Sequence, residues 1–217
     1  MNSKFKIAKN YYQKGQLEKA KNICLEIIKV KPNHLESLRL LSLVFFVNDN
    51  YSQSAIYIKK AINIEPNQAS THSDYGVVLQ KLNKFEDAIK SYNKAIKINP
   101  NYAEAYNNLG TALADLREYK KAVDCYEKVI QINPNFVSAY YNLGIVFKEM
   151  EELQKAISCY ETAIQIDSNY VNAYNNLGII LGDLNRLDEA KKYLEKSLNV
   201  DPDAKNANEG YGNLLLK

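Results

Sequence analysis

The sequence predicts an all-α solenoid of stacked helix pairs, on three observations. The five prolines, Pro32, Pro66, Pro100, Pro134 and Pro202, keep a 34-residue spacing, with Ser168 in the one slot that lacks proline. Small residues recur at the same interval, and apolar residues between them follow helical spacing. A fixed period of roughly 20–50 residues marks a repeat array. The 217 residues divide into repeats 1–34, 35–68, 69–102, 103–136, 137–170 and 171–204, with a terminal helix at 205–217, and we expect one array throughout.

Each repeat reads as two antiparallel helices. Counting from the first residue of a repeat, position 8 is Ala8, Ser42, Gly76, Gly110, Gly144 and Gly178, and position 20 is Ala20, Ser54, Ala88, Ala122, Ala156 and Ala190. Two helices can approach closely where both carry small residues. Positions 4, 7 and 11 give the first helix an apolar stripe that includes Ile7, Leu41, Leu109 and Leu143. Positions 20, 24, 27 and 28 give the second helix its own stripe, as in Ala122, Tyr126, Val129 and Ile130. Turn residues such as Asn83-Lys84, Arg117-Glu118 and Asn185-Arg186 separate the two. The second helix ends before the proline, at an Asn-Pro or Asp-Pro step in repeats 3, 4 and 6, because proline disfavours helix at the residue before it.

These recurring positions, clearest in "AYNNLGTALADLREYKKAVDCYEKVIQINPN", resemble the tetratricopeptide repeat family. The resemblance covers six copies and the first helix of a seventh. It implies a right-handed superhelix whose first helices line a concave groove. Stacked repeats of this kind bury each unit's apolar stripe on its neighbours. The wording "AYNNLG" is similar to the arrays that precede sugar transferases of the O-GlcNAc transferase and SPINDLY type. There the asparagine at position 6 holds the substrate backbone, and by position the match falls on Asn108, Asn142 and Asn176. Asp74 and Leu40 depart from it. The chaperone-tail carboxylate clamp of other family members is not matched, since its slots hold Phe5, Lys9, Ser70 and Asp74.

Several function classes drop out. No run of about 18 uncharged apolar residues is present, so no membrane span is expected. Cys24, Cys125 and Cys159 form no CxxC pair, and reduced thiols fit a cytoplasmic protein. His34 and His72 form no zinc-binding pattern, so neither a metal nor a cofactor is expected. No phosphate-binding loop or hydrolase elbow occurs, and no catalytic residues are assigned. The sequence pI of about 8.5 is modest, and the lysines are not interleaved with stacking aromatics, so no nucleic-acid partner is expected.

Function is therefore expected on the non-core side of the first helices. Position 6 supplies Asp74, Asn108, Asn142 and Asn176, position 5 adds Asn107, Tyr141 and Asn175, and position 2 adds Asn172. An asparagine amide both donates and accepts. A row of them could hold the backbone of an extended peptide whatever its side chains. Asparagine is also a mediocre helix former, yet it recurs mid-helix on one face. The expected function is a protein-interaction scaffold that binds a partner's peptide segment. The alternative is the substrate-recognition arm of a larger enzyme, such as a sugar transferase whose catalytic domain lies elsewhere.

Repeat 2 departs from the pattern. Its first helix is apolar nearly all round, which is normal only for a buried helix. Leu40, Leu43, Phe46 and Val47 are expected on the groove side. Either Phe5 and Tyr12 of the preceding helix cover them, or they form a pocket for an apolar anchor of the ligand. Repeat 1 is basic, with eight lysines against Glu18 and Glu26. Residues 205–217 keep repeat-type Tyr211, Gly212 and Leu215, which suggests a seventh repeat cut in half and offers a surface for self-association.

Overall fold

A computed structural model describes residues 2–202, so the terminal helix expected at 205–217 lies outside the described residues. The described residues form twelve α-helices and no strand. They are α1 (Asn2–Gln13), α2 (Leu17–Val30), α3 (Leu35–Val47), α4 (Tyr51–Ile64), α5 (Ala69–Lys81), α6 (Phe85–Ile98), α7 (Ala103–Asp115), α8 (Tyr119–Ile132), α9 (Val137–Glu149), α10 (Leu153–Ile166), α11 (Val171–Asp183) and α12 (Leu187–Val200). The fold class is all-α, with one helix pair per 34-residue repeat, as the period predicts. The contacts divide the chain into two compact units, Met1–Ala112 and Leu113–Lys217, each described by itself below.

The turn inside each pair is set by one residue. Gly15, Asp49, Asn83, Arg117, Glu151 and Asn185, all at position 15, have φ values between 55° and 71°. This left-handed residue stops the first helix, and the next N–H reaches back to the carbonyl five residues before it. Gln16 N–H donates to Tyr11 O at 2.9 Å, Lys84 to Leu79 at 2.9 Å and Glu152 to Phe147 at 2.8 Å. The arrangement is a Schellman cap. Only Gly15 takes the left-handed conformation without cost, while Arg117 and Glu151 hold it under roughly 1–2 kcal/mol of strain each.

A side chain closes the turn between repeats. Asn99 Oδ1 accepts from Asn101 N–H and Asn133 Oδ1 from Asn135 N–H, both at 3.1 Å. Asp167 Oδ1 accepts from Asn169 N–H at 2.9 Å across Ser168. The carboxylate keeps this Asx turn without the proline, which is why Ser168 can occupy the vacant slot.

The close approach at position 8 is to position 24, not mainly to position 20. A Cβ on Gly76 would stand 2.4 Å from the Tyr92 ring, and one on Gly144 would stand 2.6 Å from the Tyr160 ring. A Cβ on Gly178 would meet Leu194 at 2.7 Å, with Ala190 O farther away at 3.3 Å. Where position 8 is larger, position 24 is smaller: Ala8 goes with Cys24 and Ser42 with Ile58. Tyr92, Tyr126 and Tyr160 are among the largest fully buried side chains. One stripe residue departs from expectation. Ile7 is 49% exposed, because α1 has only α2 and α3 packed on it among the described helices.

Candidate functional site

The asparagines of position 6 sit half-buried on the first helices, and Asn108 and Asn176 point at the preceding repeat. In the first unit Asn108 Nδ2 donates to Ser73 Oγ at 3.4 Å. In the second unit Asn176 Nδ2 donates to Tyr141 Oη at 3.4 Å and lies 3.5 Å from Tyr160 Oη. Ser73 and Tyr141 both occupy position 5. The same joint carries other chemistry in repeats 2 and 3. Phe5 and Tyr12 pack on the cluster that contains Leu40, and Asp74 interacts electrostatically with Arg39. Position 6 is thus an inter-repeat joint, apolar, ionic or amide by turn. In Asn108 it leaves the carbonyl oxygen and one N–H for other partners, whereas Asn176 donates to both tyrosines and keeps its carbonyl oxygen. Asn107 and Asn142 are half-buried on the same helices, each with interactions of its own.

The second unit adds aromatic surface. Tyr141 packs on Tyr170 at 5.3 Å between centroids and on Tyr160 at 5.9 Å. Burial raises the Tyr141 pKa above its ordinary value, so the phenol stays a neutral donor and acceptor. Asn172 is exposed at the start of α11. Asn175, expected on the binding side, is instead buried at 5% exposure, and its Oδ1 has no hydrogen-bond partner.

The apolar residues of repeat 2 divide between core and pocket. Leu40 is only 6% exposed and belongs to the core cluster with Ala8, Ala20, Cys24, Leu41 and Val44. It is therefore not a groove residue, because position 6 turns toward the preceding repeat. Val47 is 52% exposed and stands outside the pocket lining. Leu43 and Phe46 do line a pocket of about 160 Å³. With Arg39 and Ser42 they form its α3 wall; Ser54 and Ile58 of α4 form the floor, and Asp74, Val77 and Val78 of α5 the far wall. The floor hydroxyls bond each other, Ser42 Oγ to Ser54 Oγ at 2.9 Å, and Ser54 Oγ donates to Ser42 O at 2.9 Å.

Charge at the mouth is uneven. Arg39 Nη1 donates to Gln68 Oε1 at 3.2 Å. Burial holds the Asp74 carboxyl above its ordinary pKa although the residue as a whole is exposed; Arg39 partly opposes this and Glu104 adds to it. Among the described residues the Asp74 carboxylate makes no hydrogen bond or close ion pair. Sequence reasoning placed Asp74 and the apolar anchor in separate sites, and α5 brings them together. The signal that could have joined them was the Ser42 and Ile58 pair, which leaves space where repeats 3, 4 and 5 hold tyrosine.

The remaining titratable candidates are structural. His34 Nδ1 accepts from Ser37 N–H at 3.3 Å and caps α3, and His72 Nε2 lies 2.9 Å from Pro66 O. No cluster of three or more His, Cys, Asp or Glu suited to a metal occurs among the described residues. Burial pushes the three free thiols up to about 11, so they are protonated and unreactive near neutrality. No described helix is long and apolar enough to cross a membrane.

Profiles described as tetratricopeptide repeat match residues 2–34, 103–136 and 136–203, and one described as TPR repeat matches 81–116. No curated protein matches the chain. Among solved structures, MamA is similar at 25% identity and a TM-score of 0.69, over 75% of this chain and 95% of that one. PilF of Pseudomonas aeruginosa is similar at 19% identity and a TM-score of 0.78, over 96% and 95%. YrrB, described as a TPR protein with an unusual peptide-binding site, is similar at 18% identity and a TM-score of 0.62, over 86% and 96%. The last two likenesses bear on the fold alone.

Proposed function

Because this chain belongs to the tetratricopeptide repeat family, whose members are generally protein-interaction scaffolds, we propose that it binds a peptide segment of a partner protein on the exposed side of its first helices. The observation that carries this reading is the half-buried amide at position 6 in each unit. Asn108 spends one donor on a long hydrogen bond to the preceding repeat and keeps an acceptor and a donor for a ligand backbone, and Asn176, which donates to Tyr141 and Tyr160, keeps an acceptor. Peptide binding by YrrB, a protein of like fold, agrees with it. The scaffold has no catalytic role of its own, and three unpaired thiols suit a reducing, cytoplasmic setting.

Each amide hydrogen bond contributes about 0.5–1.5 kcal/mol net, so the row supports binding in the micromolar range with help from side-chain contacts. Peptide display against the purified chain should enrich binders. Asn108→Ala, Asn142→Ala and Asn176→Ala together should weaken an enriched peptide about tenfold or more. The melting temperature should stay within a few degrees, since the joints they break are long. Full affinity in the triple variant would remove the amide row from the mechanism.

A further inference from the structure

The pocket between α3 and α5 has the shape of a missing side chain. In repeat 3 the Tyr92 ring lies against Gly76, and its hydroxyl donates to Gln80 Oε1 at 2.9 Å. The ring therefore runs along α5 from position 8 to position 12. The corresponding residues of repeat 2 are Ser42, Ile58 and Phe46. Ile58 is shorter than tyrosine and ends at the floor, and Ser42 and Ser54 satisfy each other instead of admitting a ring. The space left, about 160 Å³, is comparable to apolar cavities of roughly 150 Å³ that take up benzene.

The mouth has a sign as well as a shape. Asp74 lines it, and Glu104 lies close enough to add to the field on its carboxyl group. Arg39, the only cation of the lining, is engaged with Gln68. Arg39 keeps its charge, but the two carboxylates of Asp74 and Glu104 outnumber it, and among the described residues Asp74 makes no close ion pair; a positive group arriving beside Asp74 therefore gains a carboxylate, whereas a negative group meets a net negative mouth.

We infer that this pocket takes an aromatic side chain from the partner segment with a positive charge next to it, the ring filling the place of the missing tyrosine and the cation pairing with Asp74. The inference rests on the scaffold reading above and names the chemistry its first unit selects. The walls agree with it. Leu43 and Phe46 on one side and Val77 and Val78 on the other offer apolar faces to a flat ring, and the acidic group stands at the rim where a flanking lysine or arginine would lie.

The test uses the full chain and small probes. Titrating 2-phenylethylamine should shift the backbone amide signals of Leu43, Phe46 and Val77, with a dissociation constant in the millimolar range. The acid of opposite charge, 3-phenylpropionate, and the aliphatic isoamylamine should each bind at least roughly fivefold more weakly. Ser42→Gly with Ile58→Tyr rebuilds the repeat 3 filling and should abolish the response while the chain still melts cooperatively. Leu43→Lys, at an exposed position, brings a competing cation to Asp74 and should weaken the amine about fivefold, so the test holds even where the tyrosine is not accommodated. Equal binding of 3-phenylpropionate, an unchanged response in these variants, or no response at α3 would overturn the inference. Peptides that still bind the chain after such a failure would leave the scaffold reading standing, and amine binding without any enriched peptide would remove the scaffold reading and the partner segment as occupant, leaving only the pocket's preference for an aromatic cation.

Discussion

The helix pairs α3–α4 and α9–α10 share a backbone plan but close their interiors in opposite ways. In α9–α10, Gly144 lets the Tyr160 ring lie flat on the helix, and the pair is filled by its own side chain. In α3–α4, Ser42 and Ser54 meet through their hydroxyls, Ile58 stops short, and a pocket stays open to solvent. One exchange of volume between positions 8 and 24 thus separates a pair whose interior is closed from one whose interior can accept a side chain. The difference is local. It needs no change in helix length or turn.

The largest effects should come from disturbing the filled pair. Tyr160→Ala empties a fully buried ring site and should cost about 3–5 kcal/mol. Gly144→Leu drives a side chain into the same ring and should cost about 1–3 kcal/mol or more. Chemical denaturation measures both, and a normal curve for Gly144→Leu would show that the pairing is misplaced. The hollow pair should respond less. Ser42→Ala removes the bonds of the Ser42 hydroxyl to Ser54 while Ser54 Oγ still donates to the residue 42 carbonyl, and should cost about 0.5–1.5 kcal/mol, well below the loss at Tyr160. The smallest effect should be a gain in the turn beside the filled pair. Glu151→Gly relieves a left-handed residue and should stabilise by about 0.5–1 kcal/mol, a rise of roughly 1–4 °C in melting temperature.

Much of the fold is legible in the sequence, because a 34-residue period repeats the same physical problem and the same solution. The helix pairs, the small sites and the proline-marked turns can all be read from it. The left-handed residue at position 15 is harder to see, since Gly15, Asn83, Asn185 and Asp49 suit that conformation but Arg117 and Glu151 carry no such signal. The candidate site is less legible. Helical periodicity puts position 6 on the non-core side, but it does not say that the side chain leans on position 5 of the preceding repeat. Leu40 is buried for that reason, and Asn108 and Asn176 are partly engaged for the same one. Asn175 lies on the expected helix and is buried all the same, which sequence spacing could not reveal. An over-apolar α3 points to the pocket, but its location follows from a volume missing at Ile58 on the helix packed against it.

The most direct test of this account moves the hollow. A chain carrying Ser42→Gly, Ser54→Ala and Ile58→Tyr together with Gly144→Ser, Ala156→Ser, Tyr160→Ile and Asn176→Asp exchanges the two interiors while keeping the repeat plan, the last change supplying at position 6 the carboxylate that Asp74 gives the original pocket. Amide spectra recorded during titration with 2-phenylethylamine, on a chain that retains its helical circular dichroism, should lose the response at Leu43 and Phe46 and gain one at Ile145 and Lys148, the same positions in the fifth repeat. A response that stays on α3, or that never appears on α9, would contradict the claim that the residue at position 24 decides whether a repeat is filled or open.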